Sequence, residues 1–154
     1  MHLLHRWRFP SHSEKLADRA YTGSYSEYVA ASWLRAHGFR VLRQNFRWGH
    51  RGEIDLVCRH GETLVFVEVK SSTTRRHGQA GRHINFAKRI LLRHGARKWL
   101  SLLRRTVPVR FDVVEVYLQP GAIPEVEHAP AAFTMHEGDA ARAIMAAPIS
   151  STTP

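Results

Sequence analysis

The sequence predicts an α/β fold, and three observations carry that prediction. Around Gly61-Glu62, apolar and polar residues alternate with period two on both sides, the mark of a strand pair with two different faces. Helical patterns at residues 24–37 and 84–103 bracket that pair. After the second helix comes Val107 to Leu118, VPVRFDVVEVYL, a β-branched run that reads as a buried strand.

The elements follow in order. Residues 1–20 are polar and basic without strong periodicity, and are expected to form a loosely ordered arm in which Trp7 and Phe9 have no assigned partner. Ser24 and Glu27 form the S-x-x-E of a capping box ahead of Val29, Ala30, Trp33 and Leu34, so a helix is expected from Ser24 to His37. Gly38 ends it, with Phe39 placed to fold back on the last turn. Glu27 has a structural role open to it, reaching back to the Ser24 amide, yet it shares the inward face of Ala30 and Leu34. The Arg-rich run Phe39 to Phe46 is expected as a strand near the sheet edge, and residues 47–52 as a basic loop.

The hairpin GEIDLVCRHGETLVFVEVK spans Gly52 to Lys70. A two-residue turn at Gly61-Glu62 pairs His60 with Thr63. That register sets Asp55 opposite Glu68 and Glu53 opposite Lys70, and gathers Ile54, Leu56, Cys58, Val65, Val67 and Val69 on the other face. Opposed carboxylates ~5 Å apart repel by roughly 3 kcal/mol at an effective dielectric of ~20. A divalent cation would reverse the sign, since Mg²⁺ commonly needs only one or two carboxylates. The plain alternative is a solvated face with Glu53 paired to Lys70.

A polar loop follows Lys70, longer than a connection requires. The helix from Ile84 to Leu103 carries Ala87, Leu91, Trp99, Leu102 and Leu103 roughly on one side, with Gly95 midway as a bend or a point of close packing. A short last strand at Glu125 to His128 is expected to pair with the preceding one across Gln119-Pro120-Gly121. Residues 134–154, rich in Ala, Pro, Ser and Thr, read as a disordered tail, leaving one domain over residues 21–133.

Charge narrows the function. The 154 residues hold 23 Lys+Arg against 13 Asp+Glu, a formal charge of +10 that calls for a polyanionic partner. No acidic residue lies between Glu68 and Asp112, a span crowded with Lys and Arg. An ordinary solvated helix mixes both signs. Arg51, Arg75, Arg76, Arg82, Lys88 and Arg89 are therefore candidates for nucleic-acid contacts. A membrane surface is disfavoured because the basic helix lacks a wide apolar face left free for lipid. Cys58 is the single cysteine, so neither an intrachain disulfide nor a cysteine-based zinc site is available. No signal peptide or spanning segment is evident, and a cytoplasmic protein is expected. The scattered histidines show no metal spacing, and phosphate-loop and G-x-S-x-G motifs are missing, so hydride and acyl-transfer chemistry have no support.

Taken together, G-x-x-x-E (Gly23 to Glu27), GEIDL (Gly52 to Leu56), VFVEVK (Val65 to Lys70), Lys88, RFDVV (Arg110 to Val114) and H-x-x-x-A-F (His128 to Phe133) resemble the YraN family of small bacterial proteins. The resemblance runs from about Tyr21 to Phe133. That family in turn is similar to the PD-(D/E)xK nucleases, nearest the archaeal Holliday-junction resolvases. The resemblance implies a restriction-endonuclease-like core: helix, three antiparallel strands, helix, then a strand parallel to its neighbour, in a mixed central sheet flanked by helices. It implies Asp55 and Glu68 as ligands of Mg²⁺ or Mn²⁺, Lys70 as the residue that orients or activates water, and Glu27 as the additional acid of the resolvase-like branch. It further implies phosphodiester hydrolysis, with DNA as the substrate and recombination or repair intermediates among its forms. A homodimer is implied as well, since a junction has two-fold symmetry. One departure is Ser72, where relatives commonly carry Arg two residues after the lysine; Arg75 and Arg76 are available to substitute. The competing expectation is a non-catalytic nucleic-acid-binding module on a nuclease-like fold, which needs only the basic span.

Overall fold

The computed structural model describes residues 18–49, 52–74, 84–103 and 106–136. The chain order is α1 (Arg19–Ala36), β1 (Arg40–Arg47), β2 (Glu53–His60), β3 (Thr63–Ser72), α2 (Phe86–Leu100), β4 (Val109–Tyr117) and β5 (Glu125–Phe133). The strands form one five-stranded sheet in the order β1-β2-β3-β4-β5. Only the β3–β4 pairing is parallel, and α2 supplies the crossover that it requires. This α/β fold with a mixed sheet is the one expected from the sequence, and it is consistent with a restriction-endonuclease-like core.

Both sheet faces are covered, which explains the nearly continuous burial from Leu64 to Glu68 on β3. On one face α1 packs Ala30, Ala31 and Leu34 against Leu56, Cys58, Val65, Val67, Val114 and Val116. On the other, Leu92 and Ala96 of α2 meet Val57, Leu64, Phe66, Phe111, Val113 and Phe133. Five of the six hairpin residues expected on one face are there. Ile54 is the exception: it packs on the α2 side, with Phe46, its β1 partner, also on that side.

α1 begins earlier than the capping-box pattern suggests. Asp18 is the N-cap, its Oδ1 accepting from the amides of Ala20 at 2.9 Å and Tyr21 at 3.4 Å. Ser24 lies inside the helix and donates from Oγ to the Ala20 carbonyl at 2.8 Å. No capping box forms, because the amides it would satisfy are already in the helix ladder. The C-terminus is as expected. Gly38 adopts φ +83°, and the Phe39 and Gly38 amides bond back to the Leu34 and Arg35 carbonyls at 3.0 and 3.2 Å. Phe39 is buried beside Leu34, completing a Schellman motif.

α2 is shorter than its apolar pattern and buries a different side. Asn85 caps it by accepting from the Lys88 amide at 2.8 Å. Leu92, Arg93, Gly95 and Ala96 face inward, whereas Ala87, Leu91 and Leu102 are exposed. Gly95 fixes the rotation. A Cβ there would lie 2.3 Å from Cζ3 of Trp48, and one at Gly52 would lie 2.3 Å from its Cζ2. The Trp48 indole therefore sits against two glycine backbones, one on α2 and one leading into β2. Gly95 serves close packing, one of the two roles open to it from the sequence. With that side inward, Phe86, Ile90 and Leu91 are left exposed, a narrow apolar strip that the sequence reading did not anticipate.

β1 is an edge strand, as expected, and is mostly exposed. β5 is longer than expected and pairs antiparallel with β4. Among the described residues, no helix is long and apolar enough to cross a membrane. The arm before residue 18 and the tail after residue 136 lie outside the described residues.

Candidate active site

The hairpin turn is the predicted one: His60 pairs with Thr63, and the ladder runs in that register to Leu56 opposite Val67. There the pairing ends. Asp55 does not extend the ladder to Glu68; its Oδ2 instead accepts the Val69 amide at 2.7 Å. A side-chain carboxylate thus takes a main-chain donor where the strands part. Glu53 is also not paired to Lys70, because its carboxylate meets Arg47 of β1 at 3.1 Å.

Glu68 is buried at 7% exposure on the sheet face that α2 covers. Lys88 Nζ lies 2.9 Å from Glu68 Oε2. The contact is an ion pair without hydrogen-bond alignment, and Oε2, shielded from solvent, has no hydrogen-bond partner. Lys88 occupies the first turn of α2. A cation there opposes the helix macrodipole at a cost of about 0.3–1 kcal/mol, so its partner on β3 is what holds it inward. Lys88, a candidate for nucleic-acid contact from the sequence, is turned toward Glu68 in this structure.

Burial pushes the Asp55 carboxyl up to about 7, and the charge of Glu68 adds to the rise. The Val69 amide and Lys88 oppose it, and Glu27 on α1 contributes a further small rise. The field at Asp55 thus combines the charges of Glu68, Lys88 and, least, Glu27. Glu27 is itself raised, by burial first and by Glu53 second, against a hydrogen bond from Asn45 and the charge of Arg47. Asn45 adopts φ 51° within β1, the left-handed conformation that Asn tolerates better than most residues. Nothing in the sequence had singled Asn45 out; an Asn in an otherwise basic and apolar strand is the only signal it leaves.

Lys70 is half-buried and lies beside Glu115 of β4 in register. Among the described residues its side chain makes no hydrogen bond or ion pair. Ser72 donates from Oγ to the Thr74 carbonyl at 2.8 Å. Arg89 donates to the Ile84 carbonyl at 3.1 Å and lies over the Phe133 ring. Arg51, Arg75, Arg76 and Arg82 lie outside the described residues.

A second acidic centre, on the α1 face, was not recognised as one. Asp112 is 1% exposed, and its carboxylate accepts from Arg110 Nε and Nη2 at 2.8 Å each and from the Ala131 amide at 3.0 Å. Nε2 of His128 lies 2.8 Å from its Oδ2. Burial alone would raise this carboxyl, but the His128 and Arg110 hydrogen bonds outweigh it, and the pKa ends below the ordinary value. Ala131 holds φ 51° at the irregularity in the β4–β5 pairing, tied there by Asp112. The RFDVV and H-x-x-x-A-F motifs are thus one structural lock.

Among the described residues, no group of three or more His, Cys, Asp or Glu side chains is arranged to hold a metal ion. The donors that do converge are two carboxylates, one with an unsatisfied buried oxygen. Hard oxygen ligands in that number suit Mg²⁺ or Mn²⁺, which retain several waters and complete their shell with substrate phosphate. They do not suit a four-ligand zinc site.

The class defined by these features is an α/β protein whose mixed sheet carries paired carboxylates where two strands part. The particular family is shown by comparison. The profile of the uncharacterised protein family UPF0102, the YraN family, matches residues 26–116, and the chain belongs to this family. A UPF0102 protein of Anaeromyxobacter dehalogenans is 45% identical over 72% of this chain and 82% of its own length. One from Geobacter metallireducens is 37% identical over 73% of this chain and 92% of its own. A third, from Beutenbergia cavernae, is 42% identical over 69% and 90%. Among solved structures, SfsA of Pyrococcus furiosus in complex with Ca²⁺ matches at 18% identity and a TM-score of 0.32, over 79% of this chain and 68% of that one. A likeness of that size carries no argument about function.

Proposed function

We propose that this protein is a metal-dependent nuclease that hydrolyses phosphodiester bonds in DNA, branched or nicked intermediates included. The observation that carries the reading is the pairing of Asp55 with Glu68, a carboxyl lifted to about 7 beside a buried carboxylate with an unsatisfied oxygen. Such a pair binds a divalent cation more readily than it tolerates its own charge. Bound there, Mg²⁺ or Mn²⁺ would supply a water of lowered pKa and neutralise charge that builds on the phosphate.

The chain's own residues do the rest. Asp55 and Glu68 would hold the cation, and the Val69 amide fixes the Asp55 carboxylate in direction. Glu27, hydrogen-bonded by Asn45, would complete the metal shell directly or through water. Lys70, with no partner of its own among the described residues, is free to orient the attacking water or meet the charge of the transition state. The surplus positive charge holds the polyanion across the site. Two copies acting together fit a two-fold symmetric substrate.

The test is a cleavage screen over duplex, nicked, flapped and four-way DNA, with matching RNA, in Mg²⁺ and in Mn²⁺. Divalent-dependent cleavage that Asp55→Ala abolishes without loss of DNA binding supports the assignment. Cleavage by that variant at the wild-type rate overturns it.

The Lys88–Glu68 ion pair favours a second reading, in which the acid pair is filled from within and the protein binds nucleic acid without cutting it. Binding would then weaken steeply with salt and be indifferent to Mg²⁺.

A further inference from the structure

We infer that Lys88 is the built-in counter-ion of the site: its ammonium occupies the cation position on Glu68, and metal binding proceeds by displacing it. The inference rests on the metal-dependent reading above and adds a regulation of that site.

Three observations carry it. Lys88 Nζ stands 2.9 Å from Glu68 Oε2, within the range of a direct ion pair. That oxygen is buried and has no hydrogen bond, so the contact neutralises charge without satisfying the oxygen's directional demand. Lys88 also sits in the first turn of α2, where no acidic residue is present and the helix dipole repels a cation. A lysine turned outward there would be solvated and free of Glu68. Instead, about two thirds of its side chain is removed from solvent to reach a partner on another element.

The geometry has a direct consequence for the ligand. A divalent cation and the Lys88 ammonium cannot both sit on the same carboxylate oxygen at contact distance. Arrival of the metal turns Lys88 off Glu68, and the freed ammonium is left at the edge of the site. Freed of Glu68, it is available to a phosphate held by the metal, so metal loading and phosphate capture become coupled events. Without metal, the same lysine keeps the paired acids from repelling each other and withholds a cation from the substrate.

The experiment is a calorimetric titration of Mn²⁺ and of Mg²⁺ into the wild type, Lys88→Met, Lys88→Arg and Glu68→Gln. Each titration is run alone and with an uncleavable DNA duplex. Lys88→Met is expected to bind metal on the order of tenfold more tightly than the wild type, as removal of one charge-assisted competitor requires. Lys88→Arg keeps the competing charge and stays near the wild type, whereas Glu68→Gln loses the metal. Wild-type protein provides a readout independent of any variant's folding: the rate at which the Lys88 amine is acylated, read by mass spectrometry, should rise when metal is added.

Equal or weaker metal binding by Lys88→Met, with unchanged acylation of Lys88, overturns the inference and leaves the nuclease reading intact. Absence of metal binding in wild type and Lys88→Met alike, with and without duplex, overturns the metal reading and this inference with it.

Discussion

The Asp55 carboxylate accepts the Val69 amide at 2.7 Å, replacing a ladder bond at the point where β2 and β3 separate. A residue that would carry the chemistry is therefore also a piece of the sheet. Its carboxyl, raised from 3.8 to about 7, remains protonated over a range in which the unfolded chain has lost the proton. Native protein thus binds more protons than unfolded protein between those two values. Stability attributable to Asp55 falls as pH climbs through that window and stays low above it.

Asp55→Asn should for this reason stabilise the protein at pH 8 by about 2–4 kcal/mol, with little effect near pH 4. The amide oxygen still accepts from Val69. Thermal melts of both proteins across that pH range check the prediction, and a variant less stable than the wild type at pH 8 contradicts it.

Cleavage should show the same group from the other side. Only the ionised Asp55 binds a cation, so activity should drop as pH falls through about 7. Raising the Mg²⁺ concentration should move that midpoint to lower pH, because metal and proton compete. A midpoint indifferent to metal concentration would assign the transition to another residue.

Gly95→Ala is a substitution that helix propensity favours and packing forbids. The added methyl would meet the Trp48 ring at 2.3 Å, and overpacking of this kind costs about 1–3 kcal/mol. Propensity returns at most about 1 kcal/mol. Denaturant unfolding should therefore show net destabilisation, and Trp48→Leu in the same background should recover part of it.

Asp112→Ala should be far more damaging than its place outside the candidate site suggests. It strips Arg110 of a bidentate partner, removes the partner of His128 and leaves the Ala131 amide without its acceptor. Loss of about 3–5 kcal/mol is expected. Since the Asp112 pKa lies below its ordinary value, its contribution is present above that value and disappears as pH falls through the lowered one. Urea midpoints at neutral pH and in acid measure both effects.

Cys58 is fully buried, and burial with the nearby Asp112 charge pushes its thiol up to about 12. It should resist alkylation in the native protein and react at once in urea. Fast labelling without denaturant would place the thiol at an opening that the α1 face does not show.

The sequence carried the fold where local rules and tertiary packing agree. Gly61-Glu62 fixed the hairpin register, Gly38 with Phe39 fixed the end of α1, and the β-branched run of β4 reads as interior at a glance. It misled where a local pattern has two meanings. The S-x-x-E at Ser24 falls inside a helix that Asp18 had already begun. The apolar residues of α2 outnumber the positions that Gly95 and Trp48 allow to face inward. Of the candidate site, strand period placed Asp55 and Glu68 on one face of the hairpin, while the grouping of Glu27 with them came from the family resemblance. The inward turn of Lys88 was not legible, since a lysine's direction depends on a carboxylate twenty residues away in sequence. Asn45 and Ala131 were hidden for a related reason: each adopts a left-handed backbone and meets an acid on another element.

The seat of Trp48 between Gly52 and Gly95 bears on how the molecule moves. The indole is a rigid spacer between the strand bearing Asp55 and the helix bearing Lys88. Helix and strand cannot close on each other without driving its ring into main chain. An exchange of cations at Glu68 would then need only the swing of a four-carbon side chain, fast and local, on a frame that stays still. A lysine on a fixed post behaves as a latch, and its timing would be set by rotamer exchange, with no domain motion involved.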